Sequence, residues 1–205
     1  VSRPLTPEQA QRTEDLYGPL TQSLRTLIDV VIRSKADDAD VTRAHRLIEQ
    51  AADLLSARID PEPFGVRAVT TGGVLTWGNV AIGMRNAIAP PLDVRTDETG
   101  RATTELELGA PYEGPPGHVH GGICALLLDH VLGATAHRPG TPAFTGTLTL
   151  RYVAPTRLGR LRVEAWVDSE TSSKTFASGH ILDSDGVVTV QADGVFIRPK
   201  DKYER

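Results

Sequence analysis

Residues 113–137 read EGPPGHVHGGICALLLDHVLGATAH, and the organisation of the chain follows from how that stretch must fold. Its first part is dense in glycine and proline, the residues that punctuate loops. From Gly121 onward it is apolar nearly all round, and within Ile123 to Ala136 only Asp129 and His130 break the pattern. A helix without a polar face has to be buried. At about 1.5 Å per residue the apolar stretch spans roughly 20 Å, too short to cross a bilayer and, with its Asp-His pair, too polar. The spacing therefore predicts a loop feeding a helix, 121–137, into the centre of a soluble domain.

On both sides of that helix the period is two. Ala102, Thr104, Leu106 and Leu108 alternate with polar neighbours, as do Leu148, Leu150 and Tyr152, and then Leu161, Val163, Ala165 and Val167. Two more runs, 174–182 and 187–197, are separated by the turn Asp183-Ser184-Asp185-Gly186. One apolar and one polar face per strand is the signature of an antiparallel sheet covered on one side. A single buried helix inserted between the second and third strands of a curved antiparallel sheet is the hot-dog arrangement, an α+β fold.

The front of the chain reads differently. Thr6-Pro7-Glu8-Gln9 has the N-cap, first-turn proline and capping-box glutamine of a helix start. Gly18-Pro19 is expected to interrupt that helix. Leu20, Leu24, Leu27, Ile28 and Val31 recur at helical spacing. Residues 37–40 form a polar turn and cap. Val41, Ala44, Leu47, Ile48, Ala51, Leu54 and Leu55 then fall on one helical face. Residues 6–58 are expected to form a helical hairpin or short bundle, a packing or dimerisation arm. Residues 59–92, rich in Gly and Pro, read as an irregular crossing segment with one short strand. The division is thus an N-terminal helical extension, 1–60, and a sheet domain, 61–205.

Charge narrows the function classes. Residues 1–60 hold eight Lys/Arg against ten Asp/Glu, and the remainder fourteen against sixteen, for a net charge of −4. Neither part has the basic surplus that binding to phosphate backbones needs, so nucleic acid is not an expected partner. The single cysteine, Cys124, excludes an internal disulfide and any multi-cysteine metal site. A cytoplasmic, reducing compartment fits that count. His118-Val119-His120 lacks the following glutamate that a cupin-like metal site requires, and there is no GxSxG, GxGxxG or P-loop motif. No metal and no cofactor is expected.

Two features carry chemistry. The start of the 121–137 helix offers unpaired N–H groups and a positive dipole end, and glycines there admit a ligand oxygen close to the backbone. That is the composition of an oxyanion hole, and also of a plain tight loop. Asp129 lies among Leu126, Leu127, Leu128, Val131 and Leu132. An acid in such surroundings needs partners or a task. It is either a structural acid or a general base or nucleophile.

Taken together, Gly114-Pro115-Pro116-Gly117, His120-Gly121-Gly122, and then Ala125, Leu128, Asp129 and Gly133 resemble the Them and PaaI branch of the hot-dog acyl-CoA thioesterases, within the 4-hydroxybenzoyl-CoA thioesterase superfamily. The acid lies nine residues after the histidine, as in that branch. Thr145, sixteen residues further on in Phe144-Thr145-Gly146-Thr147-Leu148, falls where the Them proteins have a catalytic-site hydroxyl. Arg151-Tyr152-Val153-Ala154-Pro155 and Arg85-Asn86-Ala87-Ile88-Ala89-Pro90-Pro91-Leu92 extend the likeness to about residues 85–198. The resemblance implies hydrolysis of an acyl-CoA to free acid and coenzyme A, with a fatty acyl group favoured by the apolar helix. It implies that the Gly121 N–H, aided by Gly122, polarises the thioester carbonyl. Asp129 would activate water or attack the carbonyl, and Thr145 would position the water or the acid. His120 fits a loop-fixing hydrogen-bonder better than a base. The PaaI-like asparagine six residues before the histidine is replaced by Gly114, so a role for it does not transfer. Arg151, Arg157, Arg160 and Lys174 are candidates for the anionic coenzyme A tail. The family further implies a homodimer or dimer of dimers with active sites at the subunit interface. A non-catalytic acyl-CoA-binding regulator on the same fold is the alternative, and a hot-dog dehydratase lacks its aspartate–histidine pair here.

Overall fold

The computed structural model describes residues 3–60, 64–90, 92–137 and 142–198. Pro61, Pro63 and Pro91 of the crossing segment lie outside the described residues. By its internal packing the chain divides into two units, Val1–Ile88 and Ala89–Arg205. The boundary expected at residue 60 therefore falls within the first of them.

In the first unit, α1 spans Pro7–Arg33 and α2 Asp38–Ser56. Thr6 caps α1 as its sequence predicts. Its side chain accepts from Gln9 N–H, and the Gln9 side chain accepts from Thr6 N–H. The interruption expected at Gly18-Pro19 does not occur, because α1 runs straight through Pro19. A proline removes one N–H from the helical ladder, and here the turns on either side, packed on the following segment, carry the helix across the gap. Residues 64–88 supply that packing. Trp77 Nε1 donates to Glu14 Oε1 at 3.3 Å, the Arg85 guanidinium stacks over the Tyr17 ring at 3.6 Å, and Arg25 reaches the carbonyls of Gly83 and Asn86. Two two-residue strands, β1 (Arg67–Ala68) and β2 (Val74–Leu75), pair with each other, where one short strand was expected. The hairpin or bundle expected of 6–58 is also absent: α2, capped by Asp37, buries none of its residues.

The second unit holds a six-stranded antiparallel sheet in the order β3-β4-β6-β7-β8-β5. Its strands are β3 (Arg95–Thr96), β4 (Ala102–Leu108), β5 (Phe144–Tyr152), β6 (Gly159–Glu170), β7 (Lys174–Leu182) and β8 (Val188–Ile197). Between β4 and β5 the chain enters α3, Gly121–Ala136, which packs against all five long strands. The register lines Thr104, Val163, Ile181, Val190 and Tyr152 across one face. That face meets Leu127, Leu128, Val131 and Leu132 of α3, all fully buried. The opposite face is polar, with Glu105 paired to Arg160 and Glu164 held by Arg101, Arg162 and His180. This is the hot-dog fold. Gly179 and Gly194 make the close helix–sheet approach possible, since a Cβ at either would meet Leu132 within 2.6 or 3.1 Å.

Burial of α3 is not uniform. Leu126, Asp129 and His130 stay partly exposed on the side away from the core. Nearby, β5 is a sheet edge with most of its nine residues exposed. No described helix is long and apolar enough to cross a membrane.

Candidate active site

The loop before α3 is built around its own exit. Gly114 N–H donates to His118 O and His118 N–H to Pro115 O, both at 2.9 Å. Gly117 sits at φ +74°, and its N–H donates to Glu113 Oε1 at 2.6 Å. A Cβ at Gly114 would lie 2.8 Å from His120 Cα, so the turn closes only around glycine. His120 N–H is tied in turn to Tyr112 O at 2.9 Å.

The loop delivers His120 as the N-cap of α3, with Nδ1 accepting from Gly122 N–H at 3.0 Å. An accepting Nδ1 leaves the proton of the neutral ring on Nε2. From the facing strand, Tyr152 Oη donates to Gly121 O at 2.9 Å. The peptide between Gly121 and Gly122 is therefore held at both ends, oxygen by Tyr152 and nitrogen by His120. Gly122 does not fit the role of second carbonyl donor, because its N–H is already engaged. Gly121 N–H, at the first helical position, has no acceptor among the described residues. One fixed donor with the helix dipole behind it is suited to a developing oxyanion.

That donor opens on a cavity of about 550 Å³, lined by Pro115, Gly121, Cys124, Tyr152, Val153 and Thr156 among others. Its walls are chiefly apolar. Burial pushes the Cys124 thiol above its ordinary value despite a hydrogen bond with Thr156, so the sulfur is a wall of the cavity rather than a nucleophile.

Asp129 lies two turns along α3. Thr145 Oγ1 donates to its Oδ1 at 2.8 Å, leaving Oδ2 to take a proton. The acid is less deeply placed than its apolar sequence neighbours suggest, since it occupies the partly exposed side of the helix. The contact depends on a strand irregularity. Thr145 pairs with Phe196 while Thr147 pairs with Val195, so Gly146 is an extra, bulged residue. Strict alternation would place Thr145 with Thr147 and Thr149, on the face away from α3. The bulge moves it to the helix side, within reach of the carboxylate. Next to the acid, burial lowers the His130 pKa below its ordinary value, and the Asp129 charge offsets this only in part.

The four basic candidates do not converge. Arg160 is paired with Glu105, and Lys174 begins β7 at the sheet end shared by Phe144. Arg151 lies near the opposite end of β5, and Arg157 bridges by its backbone to His118 at the cavity loop. Arg151 and Arg157 flank the cavity-lining segment that runs from Tyr152 to Thr156. His118 Nδ1 hydrogen-bonds Pro116 O at 2.8 Å, and no cluster of three metal-ligating side chains exists among the described residues. Sequence reasoning missed Tyr152 as a clamp, for which only its helix-facing register gave a signal. It also missed the bulge, which glycine inside a strand pattern does signal.

Comparisons relate the chain to known proteins. The family model described as "Thioesterase superfamily" matches residues 116–190, the stretch holding the loop, α3 and the acid–hydroxyl pair. A crystal structure of a thioesterase superfamily protein superposes with a TM-score of 0.77 at 31% identity, over 88% of this chain and 90% of that one. The E. coli PaaI protein from the phenylacetic acid degradation operon shares the fold, with a TM-score of 0.50 at 18% identity over 53% of this chain and 80% of its own. Among curated proteins, the acyl-coenzyme A thioesterase THEM4 of Xenopus laevis is 34% identical over 91 residues, 43% of this chain and 41% of that protein. The chain thus spans less than half the length of that relative.

Proposed function

This chain belongs to the thioesterase superfamily, and from that premise we propose that it hydrolyses acyl-CoA thioesters to free acid and coenzyme A. The observation that carries the reading is the Thr145–Asp129 hydrogen bond, which the Gly146 bulge makes possible on a helix whose first N–H is free. Water held by a lone pair of Thr145 loses its proton to Asp129 Oδ2, and its oxygen adds to the thioester carbon. The resulting oxyanion lies against Gly121 N–H. Collapse breaks the C–S bond, and the coenzyme A thiolate takes the proton back from Asp129. The reaction needs no metal or redox cofactor, because the thioester carbon is already electrophilic.

Helix geometry supports an assembly with shared sites. Gly121 and Asp129 are eight residues apart, about 12 Å along the axis, and an aspartate reaches only a few ångströms from its Cα. The two cannot meet at one carbonyl within one chain. The donor of one subunit and the acid of a second must face each other across a two-fold axis. The exposed β5 edge and the open side of α3 beside it supply a surface for that pairing, as a homodimer or a dimer of dimers. The apolar cavity at Gly121 favours a fatty acyl group and a place in lipid metabolism, and a single buried cysteine suits a cytoplasmic setting. His120 and Tyr152 orient the donor through the Gly121–Gly122 peptide, and Tyr152 is also a wall of the cavity. Arg151 and Arg157, on either side of the cavity-lining segment, are the best placed of the basic residues for the coenzyme A tail.

The test is thiol release from an acyl-CoA series by the wild type and by Asp129→Asn. The near-isosteric change should lower kcat by about 10²–10⁴-fold with binding retained. Binding without turnover by the wild type would instead favour a regulatory acyl-CoA binder.

A further inference from the structure

We propose that α2 is a homotypic docking element, pairing antiparallel with α2 of a second copy of this chain about a two-fold axis near Leu47 and Ile48. The helix is capped and amphipathic, yet every residue from 38 to 56 is exposed. At about 100° per residue, Val41, Ala44, Leu47, Ile48, Ala51 and Leu54 share an arc of roughly 140°, with Leu55 inside it. Val41, Leu47 and Leu54 are 55%, 57% and 80% exposed, which is too much apolar surface on one helix to leave in water without a partner.

The order of residues along this face identifies the occupant. About the midpoint between 47 and 48 six of the seven apolar positions of the arc read alike in both directions: Val41 mirrors Leu54, Ala44 mirrors Ala51, and Leu47 mirrors Ile48, while Leu55 mirrors Asp40. A face in that order offers a reversed copy of itself the same succession of large and small residues, which suits a two-fold interface. The alanine layers on either side of the axis let the two backbones approach closely, with the larger residues filling the centre and the ends.

Charge then selects the antiparallel sense. On the same arc, Asp37 and Asp40 lie at the N-terminal end and Arg58 just beyond the C-terminal cap. Reversal sets each acidic end against the partner's arginine and each helix N-terminus beside the partner's C-terminus. A parallel pair would oppose acid to acid and arginine to arginine. This contact is distinct from the proposed catalytic seam, which involves α3 and β5.

A single helix pair buries less than the roughly 1,200 Å² of a stable specific interface, so cross-linking reads the contact better than chromatography. Full-length Ala44→Cys and Ala51→Cys chains, carrying different tags, are co-expressed and treated with a short bis-maleimide. Wild-type protein, whose only thiol is the buried Cys124, sets the background. Turnover of the untreated variants confirms folding, because α2 carries no catalytic group. The expected product is a covalent mixed dimer joining position 44 to 51, at least tenfold above that from either variant alone. Asp40→Arg should abolish the product, and Asp40→Arg with Arg58→Asp should restore it. Equal cross-linking within Ala44→Cys alone would show parallel pairing and overturn the proposal. No mixed product, or no rescue by the charge exchange, would overturn it as well by assigning α2 another occupant.

Discussion

The 12 Å between Gly121 and Asp129 makes a quantitative prediction about mixed dimers. Asp129→Asn removes the proposed base, and Gly121→Pro removes the proposed carbonyl donor at the first helical position, where a proline can still start a helix. A Cβ at Gly121 would come 3.3 Å from Tyr152 Oη, so the phenol must give way by a few tenths of an ångström. Its far end is mobile enough to do so, and a melting curve checks that it has. Each variant is inactive alone, because both of its sites lack one component. In a dimer with one chain of each kind, one site carries both lesions and the other carries none. Random exchange of equal amounts makes about half the dimers mixed, and one of two sites in each is intact, so about a quarter of wild-type activity should return. Exchange is followed by mass spectrometry of differently tagged chains, and activity by thiol release from acyl-CoA. Recovery near zero with exchange complete would refute shared sites. Gly121 and Asp129 could not then both act at one carbonyl, and one of them would lose its role.

Three further expectations follow from the same contacts. Thr145→Val removes a hydrogen bond to a carboxylate and should slow kcat by about ten- to a hundredfold without abolishing it; unchanged kcat would return Thr145 to the sheet as an ordinary strand residue. Deleting Gly146 makes Thr145 the direct neighbour of Thr147, and ordinary alternation then leaves Thr145 opposite Phe196 on the helix side, so kcat should stay well above that of Thr145→Val; a loss as deep as in Thr145→Val would show that the bulge itself, and not the facing of Thr145, sets the contact. Burial holds the His130 imidazole neutral in the fold to lower pH than its ordinary 6.5, so the unfolded chain binds the proton first, and stability should fall as pH drops from about 6.5 toward the lower folded value. His130→Gln should remove that fall from denaturant midpoints, and an identical slope in the variant would assign it elsewhere.

Most of the fold can be read from periodicity because periodicity records burial. The helix and the five long strands each keep one apolar side toward a common core, and α3 has almost no other side to offer. The front of the chain is less legible for the same reason. The apolar face of α2 is as regular as that of a core helix, yet nothing in the chain's described residues covers it, so a hairpin was the natural expectation. Pattern shows that a face is apolar, not what lies against it. Gly18-Pro19 misleads for a different reason: local propensity marks it as a break, whereas long-range packing from Trp77 and Arg85 sustains the helix across it.

At the site, the acid, the glycines and the threonine are visible as residue types at a spacing, but their relation is not. Unbulged alternation through Gly146 would turn Thr145 away from α3, and the bulge there brings its hydroxyl to Asp129. Nor does sequence show that His120 occupies Gly122 N–H, which reduces two expected donors to one. In the proposed reaction a single donor leaves the carbonyl to be aligned by what holds the Gly121–Gly122 peptide. Tyr152 on β5 and His120 in the loop do that from opposite ends. One strand therefore carries both Thr145, at its start, and Tyr152, at its end. If β5 also forms the seam between subunits, any slip in that pairing displaces the acid's partner and the donor's clamp together. Catalysis in this fold would then depend on the register of one exposed strand edge more than on the depth of the core.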